Sequence, residues 1–294
     1  MKITRRQFAC SGVLTGTASF LGGSLPQVFA QVPPSAQELV NRISVAMGGA
    51  WNPSSYRDTF KMGDPNTLVM GVASCFMSTF DVIKRANAKG LNFVISHEPT
   101  MWTDGDVLSP VEDDPLFKLK LEYVNDNKMI VWRTHDSLHS LKPEPMSTAE
   151  NAKLGWDKFV QPGGGFFSSY KFSPPVTLKE IVLHYADTVP TSSLRVIGDP
   201  SLVVNSASQA GHSCAANFEG LAKNDCTISI EIREWETAEY GRDLVASGAR
   251  KAMIICSHES GEELGMQWFT NWLEQRFPGL RIEFVPTGDR MWTI

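Results

Sequence analysis

Apolar positions in this chain repeat with two different periods, and the switches between them mark out the elements. After Pro33-Pro34, the run Ser35-Ala36-Gln37-Glu38 has the form of a helix-capping box. Leu39, Ile43 and Met47 follow at every fourth position until Gly48-Gly49 ends the pattern. From Leu68 short apolar runs alternate with amphipathic stretches. Residues 68–74 read as a strand, 79–90 as a helix ending in glycine, and 91–96 as a second strand. Asp114-Pro115 caps and opens a helix through Val124, residues 129–133 form a strand, and Ser147 with Glu150 starts a helix through a second capping box.

The break Gln161-Pro162-Gly163-Gly164-Gly165, followed by Ser173-Pro174-Pro175, reads as a linker over 161–177 between an N-terminal domain, 35–160, and a C-terminal domain, 178–294. The second half repeats the theme. Strands are expected at 201–206, 226–232, 251–257 and 281–286, with helices near Cys214–Leu221, Thr237–Ala246 and Glu262–Gln275. His184 alternates like a strand residue within 181–186 and reads as structural. Gly63-Asp64-Pro65 precedes the first strand of one half and Gly198-Asp199-Pro200 the corresponding strand of the other. Residues 86–98 also match 245–259 in pattern, so the halves form a pseudo-repeat with insertions. Strand and helix in alternation predict an α/β fold of two related domains with mostly parallel sheets.

Composition narrows the function classes. The 294 residues carry 27 Lys+Arg against 32 Asp+Glu with no long basic run, which argues against a nucleic-acid footprint. No internal apolar stretch reaches the length of a membrane span. Arg5-Arg6 before a weakly apolar, Gly/Ser/Thr-rich stretch, with Val28-Phe29-Ala30 as a cleavage site, resembles a twin-arginine export signal over residues 1–30. Its removal implies a periplasmic or otherwise exported protein starting near Gln31. Four cysteines would remain, Cys75, Cys214, Cys226 and Cys256, without C-x-x-C spacing; a disulfide framework is allowed but not required. Cys75 and Cys256 end apolar runs and read as core. There is no G-x-S-x-G elbow and no phosphate-binding loop.

Three strands end in the same punctuation: Ser96-His97-Glu98, Thr134-His135-Asp136 and Ser257-His258-Glu259. Ligands in open α/β sheets bind beyond the carboxyl ends of the strands, so these dipeptides point toward one rim. One histidine alone would read as structural; three in the same context do not. Imidazole nitrogen with carboxylate oxygen suits zinc, iron or manganese. His258 and Glu262 stand four apart, as do His135 and His139. Ser260 through Glu263 has capping-box form, which assigns Glu263 to the backbone and leaves Glu262 for the site. His212 lies in a loop as a weaker candidate for substrate contact, Trp102 stands near the pocket mouth, and Trp268, Phe269, Trp272 and Phe277 form a helical core stripe.

These motifs, with Trp51 and the two Gly-Asp-Pro turns, resemble the Nif-three-like family of dinuclear metal-centre proteins, also described as GTP cyclohydrolase type-one-like. The resemblance runs nearly the whole length after residue 30. It implies two related α/β domains, a two-metal site in the cleft between them and a ring-shaped, hexameric homo-oligomer. The family pattern His-His-Pro stands here as His97-Glu98-Pro99, His-Thr-Asn-Leu-Asp as His135-Asp136-Ser137-Leu138-His139, and Gly-His-x-x-x-Glu as Ser257-His258 through Glu262. A His has become Glu98 and an Asp has become His139, so ligand number and charge are conserved. The implied ligands of two divalent ions are His97, Glu98, His139, His258 and Glu262, with Asp136 the fallback for His139. Glu98 or Asp136 is the candidate general base and His135 its orienting partner. These features point to a metal-dependent hydrolase of an unidentified small molecule using activated water; the rival is a non-catalytic metal-binding or metal-delivery protein.

Overall fold

A computed structural model describes residues 32–163, 166–191 and 194–288. The expected export signal lies outside the described residues. The first half contains helix α1 (Ala36–Met47), strands β1 (Phe60–Met62) and β2 (Val72–Met77), helix α2 (Phe80–Ala88), strand β3 (Phe93–Glu98), helix α3 (Pro115–Asp126), strand β4 (Ile130–Arg133), the single turn α4 (Asp136–His139) and helix α5 (Pro145–Leu154). The chain continues through strand β5 (Ser169–Thr177), helix α6 (Leu178–Thr188), strands β6 (Arg195–Ile197) and β7 (Val203–Gln209), helix α7 (Cys214–Lys223), strand β8 (Cys226–Ser229), helix α8 (Glu239–Ala246), strand β9 (Ala252–Ile255), helix α9 (His258–Arg276) and strand β10 (Ile282–Phe284). Among the described residues no helix is long and apolar enough to cross a membrane.

Two mixed five-stranded sheets organise two α/β domains. The first has the order β1-β4-β3-β2-β10 and the second β5-β7-β8-β9-β6. β10, β2, β3 and β4 run parallel with β1 antiparallel; β7, β8 and β9 run parallel between antiparallel edges β5 and β6. The central strands are covered on both faces, which explains their unbroken apolar character. Leu39 and Ile43 of α1 pack with Phe93, Trp132, Phe269 and Leu273 on one face of the first sheet. Val82, Ile83, Phe117 and Val124 pack with Cys75 and Val131 on the other. Phe269 and Trp272 of the expected stripe are fully in the core, with Trp268 and Phe277 packed against it.

Local capping chemistry sets most helix starts. Ser35 and Glu38 form the expected capping box, and Asp114 accepts from the Leu116 and Phe117 amides. Three expectations change. Helix α5 begins at Pro145, capped by Glu144, which accepts from the Ser147 amide, so Ser147 lies inside the helix and Glu150 is buried rather than capping. His184 sits on α6, not a strand, because Thr177 and Glu180 form a further capping box; its Nε2 meets the Leu154 carbonyl at 2.8 Å. The segment 161–177 holds β5, whose Pro174-Pro175 fall on a sheet edge and coincide with a register shift, as strand prolines must.

Order along the chain also differs from order in space. The final helix and strand, expected with the second half, return to the first sheet, where β10 pairs with β2 and α9 packs on β2 and α5. The Gly-Asp-Pro repeat is structural. A Cβ on Gly63, at φ +82°, would lie 2.1 Å from the Met129 carbonyl before β4, and one on Gly198, at φ +135°, would lie 2.8 Å from Ala252 Cβ at the start of β9. β4 and β9 therefore occupy equivalent places, each beside an antiparallel edge strand. The sequence match of 86–98 with 245–259 instead joins β3 to β9, which are not equivalent positions.

Candidate metal centre

Three strand ends converge, those of β3 and β4 from the first sheet and that of β9 from the second. β3 delivers His97 and Glu98, the turn after β4 delivers His135 and His139, and Ser257 caps α9 after β9 so that His258 and Glu262 share one helical face. His97 is fully buried, and Glu98, His139 and Glu262 are nearly so.

The hydrogen bonds behind the rings fix what each imidazole presents. His97 Nδ1 lies 3.0 Å from the Thr134 carbonyl, which can only accept, so Nδ1 carries the proton. His135 Nδ1 is 2.9 Å from Asp136 Oδ1 and His139 Nδ1 is 2.8 Å from Glu144 Oε1. His258 Nδ1 is 3.6 Å from Glu231 Oε2. All four rings are thus backed by an oxygen acceptor, the arrangement that orients histidine ligands through Nε2. The His97 and His135 rings stack at 4.6 Å, and each stands 4.7 Å from His139.

Two carboxylates complete the cluster. Glu98 Oε1 lies 3.4 Å from His135 Nε2, 3.8 Å from His258 Nε2 and 4.0 Å from His97 Nε2, while its Oε2 faces Arg133 Nη2 at 3.3 Å. Glu262 Oε2 lies 3.1 Å from His258 Nε2 and 3.3 Å from His97 Nε2. Ligand atoms of His97, His135 and His139 fall within 4.8 Å of one another, as do those of His97, Glu98 and Glu262. Burial opposes charge on Glu98, but the His135 hydrogen bond and the His97 and His258 rings hold it below the usual carboxylate range. Against the same burial, His258 and His97 hold Glu262 well below it. Burial also opposes charge on His258, yet Glu262, Glu231 and Glu98 raise it well above its ordinary value. A site that draws a proton this strongly offers the same attraction to a metal cation.

The arrangement fits a metal on a direct observation. His97 Nε2 is completely buried, has no hydrogen-bond partner and carries a lone pair directed among carboxylates. Such an atom costs free energy unless something binds it.

The five expected ligands His97, Glu98, His139, His258 and Glu262 come together, and His135 joins them with its Nε2 on the ligand side. Asp136 does not: its oxygens face Ser55 Oγ at 2.7 Å, Arg57 Nη1 at 3.3 Å and His135 Nδ1, so it holds His135 from behind. The His212 ring lies 5.6 Å from that of His258, whereas Trp102 is half-exposed with Lys120 Nζ 5.3 Å from its ring centre. Cys75 and Cys256 are core thiols, each pushed up to about 12 by burial, and all four described cysteines are free.

Four supporting residues escape sequence reasoning. Buried Asp58 accepts the amides of His135, Asp136 and Ser137 and so caps α4 from a distant part of the chain. Arg133, Glu144 and Glu231 back Glu98, His139 and His258. Of these only Glu144 had a local signal, the Glu-Pro pair at a helix start, and the competing Ser147-x-x-Glu150 pattern concealed it.

The neighbours Glu262 and Glu263 separate metal binding from structure. Glu263 serves backbone, though of another segment: it accepts the Thr287 and Gly288 amides, while Ser257 caps the helix. Glu262→Ala is expected to lower metal content at unchanged fold. Glu263→Ala should keep the metal and cost about 1–3 kcal/mol for two unpaired amides, measured by denaturant melts beside elemental analysis. Metal loss in Glu263→Ala alone would reverse the assignment.

Known proteins share this framework. The family model described as Duf34/NIF3 (NGG1p interacting factor 3) matches residues 40–289. A "GTP cyclohydrolase 1 type 2 homolog" of Clostridium acetobutylicum is 25% identical over 195 residues, 63% of this chain and 71% of the relative. Among solved structures, Staphylococcus aureus hypothetical protein SA1388 superposes with a TM-score of 0.70 at 15% identity, covering 89% of this chain and 100% of that one. A Bacillus cereus protein related to NIF3 gives 0.68 at 10% identity, covering 90% and 99%. At these identities the two structures show the fold alone.

Proposed function

The chain belongs to the Duf34/NIF3 family, and from that premise we propose that it binds two divalent metal ions and hydrolyses a small molecule with them. The buried, unpartnered His97 Nε2 among two carboxylates and three further oriented imidazoles carries the reading. His97, His135 and His139 would hold one ion; Glu98, Glu262 and His258 would hold the other. Glu98 Oε1 lies within 4.0 Å of three imidazole nitrogens and would be a ligand oxygen of the pair. Mixed nitrogen and oxygen ligands suit zinc, iron or manganese. Such a pair, when bound, supplies Lewis acidity that activates water and polarises the bond it attacks.

The chain's own residues do the positioning. Arg133 binds Glu98 Oε2 and leaves Oε1 turned inward toward the ligand nitrogens. Asp136 and Glu144 lock the His135 and His139 rings. The test is turnover of 4-nitrophenyl phosphate and of GTP, the latter taken from the relative's name. We expect activity in the metal-loaded protein, loss on chelation and recovery on metal return. Two metals bound with neither substrate turned over would favour metal storage or delivery.

A further inference from the structure

A second concave site lies at the far end of α5 from the metal centre. Glu144 caps the start of α5 behind His139, and the 10 residues of the helix end at Leu154, about 15 Å along its axis. There the chain turns through Gly155 and Trp156 into the single turn Asp157–Phe159. That turn, Phe172 of β5 and residues Glu180 and His184 of α6 line a cavity of about 290 Å³, the size of a small-molecule site.

The walls are aromatic and fixed. Phe172 stands nearly perpendicular to Trp156, at 78°, and to Phe159, at 67°, with 5.3 Å between ring centres in each pair. The His184 ring lies within 19° of parallel to Trp156. Trp156 and Phe172 are buried in the second core with Tyr170 and Leu178, so packing behind them holds the walls in place.

Three polar groups on the lining differ in how much of their bonding is already used. Glu180 Oε2 accepts the Thr177 amide and hydroxyl, both at 2.7 Å, which commits its charge to the start of α6. His184 Nε2 lies 2.8 Å from the Leu154 carbonyl, which can only accept, so in the neutral ring Nε2 carries the proton and Nδ1 keeps a lone pair. The Lys158 ammonium stands 5.0 Å from the Phe159 ring centre and pairs with no carboxylate among the described residues. One cation and one acceptor are left beside the aromatic walls.

We propose that this cavity binds a flat aromatic carboxylate whose ring carries an N–H or O–H donor. The ring would lie against Trp156, Phe159 and Phe172, where stacked or edge contacts add to the burial of its faces. The carboxylate would pair with Lys158 and the ring donor with His184 Nδ1. A cationic ligand would meet Lys158 with like charge, and an aliphatic acid would lack the ring contacts. The site is separate from the metal centre and does not depend on the hydrolysis assigned there.

Indole-3-acetate has all three features and is the probe, titrated calorimetrically into the full chain beside tryptamine and 1-methylindole-3-acetate. A ligand of this size should bind with a dissociation constant below about 1 mM. Binding should persist after chelation, which separates the cavity from carboxylate binding at the metal centre. Wild type should prefer indole-3-acetate to tryptamine, and Lys158→Glu should reverse that preference, by about two- to fivefold each way for a pair near solvent. His184→Phe should remove the advantage of indole-3-acetate over its 1-methyl form, which lacks the donor, and leave the 1-methyl form bound as before. Lys158 and His184 are both exposed, so neither change disturbs the core. Binding lost on chelation, equal affinity for the two charges in wild type, or an unchanged preference in either variant would overturn the proposal. An absence of saturable binding would also overturn it, and a change of mass by light scattering in Phe159→Ala would then assign the cavity to a second copy of the chain.

Discussion

Replacing His97 by alanine is expected to remove the metal-dependent part of this protein's thermal stability. A ligand that binds only the native state at one hundred times its dissociation constant adds about 2.7 kcal/mol. In a chain of this size that is a rise in melting temperature of about 5–10 °C on metal addition. His97 stands in both close ligand sets, so its loss weakens both positions at once. Wild type should show the rise, and His97→Ala should show less than about 2 °C whatever its own apo melting point. His184→Ala, altered far from the cluster, should keep the full rise. A His97 variant that responds to metal as wild type does would mean that the cluster is held together by its own ion pairs.

The second large effect concerns Arg133, whose side chain is fully buried between the domain core and the centre. Its Nε donates to the His97 carbonyl at 2.9 Å, and its Nη atoms reach the Asp104 carbonyl at 2.5 Å, Asp106 Oδ2 at 3.4 Å and Glu98 Oε2 at 3.3 Å. Arg133→Met would fill similar space while leaving Asp106 with the Thr100 and Met101 amides and the Lys61 ammonium at 3.2 Å, and Glu98 without its outer partner. Removing one member of a buried ion network costs about 3–5 kcal/mol, to be read as a lower urea midpoint at unchanged slope. Arg133→Lys should recover only part, because one ammonium cannot follow the guanidinium's fork. A cost below about 1 kcal/mol for Arg133→Met would show that the network is dispensable to the fold.

What was legible in the sequence was local. The capping box at Ser35, the Asp114-Pro115 start and the apolar runs of β2, β3 and β4 act through neighbours along the chain. The three His-acid endings were readable because each closes an apolar strand run, whereas the meeting of β9 of the second sheet with β3 and β4 of the first is written in no local pattern. The errors also have local causes. His184 sits in a run whose apolar residues suit either period, and only the Thr177–Glu180 box decides for a helix. Ser147-x-x-Glu150 satisfied the capping pattern, but Glu144 reached the Ser147 amide first and freed Glu150 for the interior. The return of α9 and β10 to the first sheet, and the support from Asp58, Arg133 and Glu231, depend on contacts far apart in sequence. No spacing rule contains them. His135 reads from the sequence as an orienting group, but the Asp136 contact to its Nδ1 turns its Nε2 inward.

Metal content decides the central claim most directly. Protein purified without chelator or added metal, and analysed by native mass spectrometry with elemental analysis, should carry two divalent ions per chain. Glu262→Ala and His97→Ala should carry fewer. Wild type free of metal after reconstitution with zinc, iron and manganese, or variants that keep both ions, would contradict it.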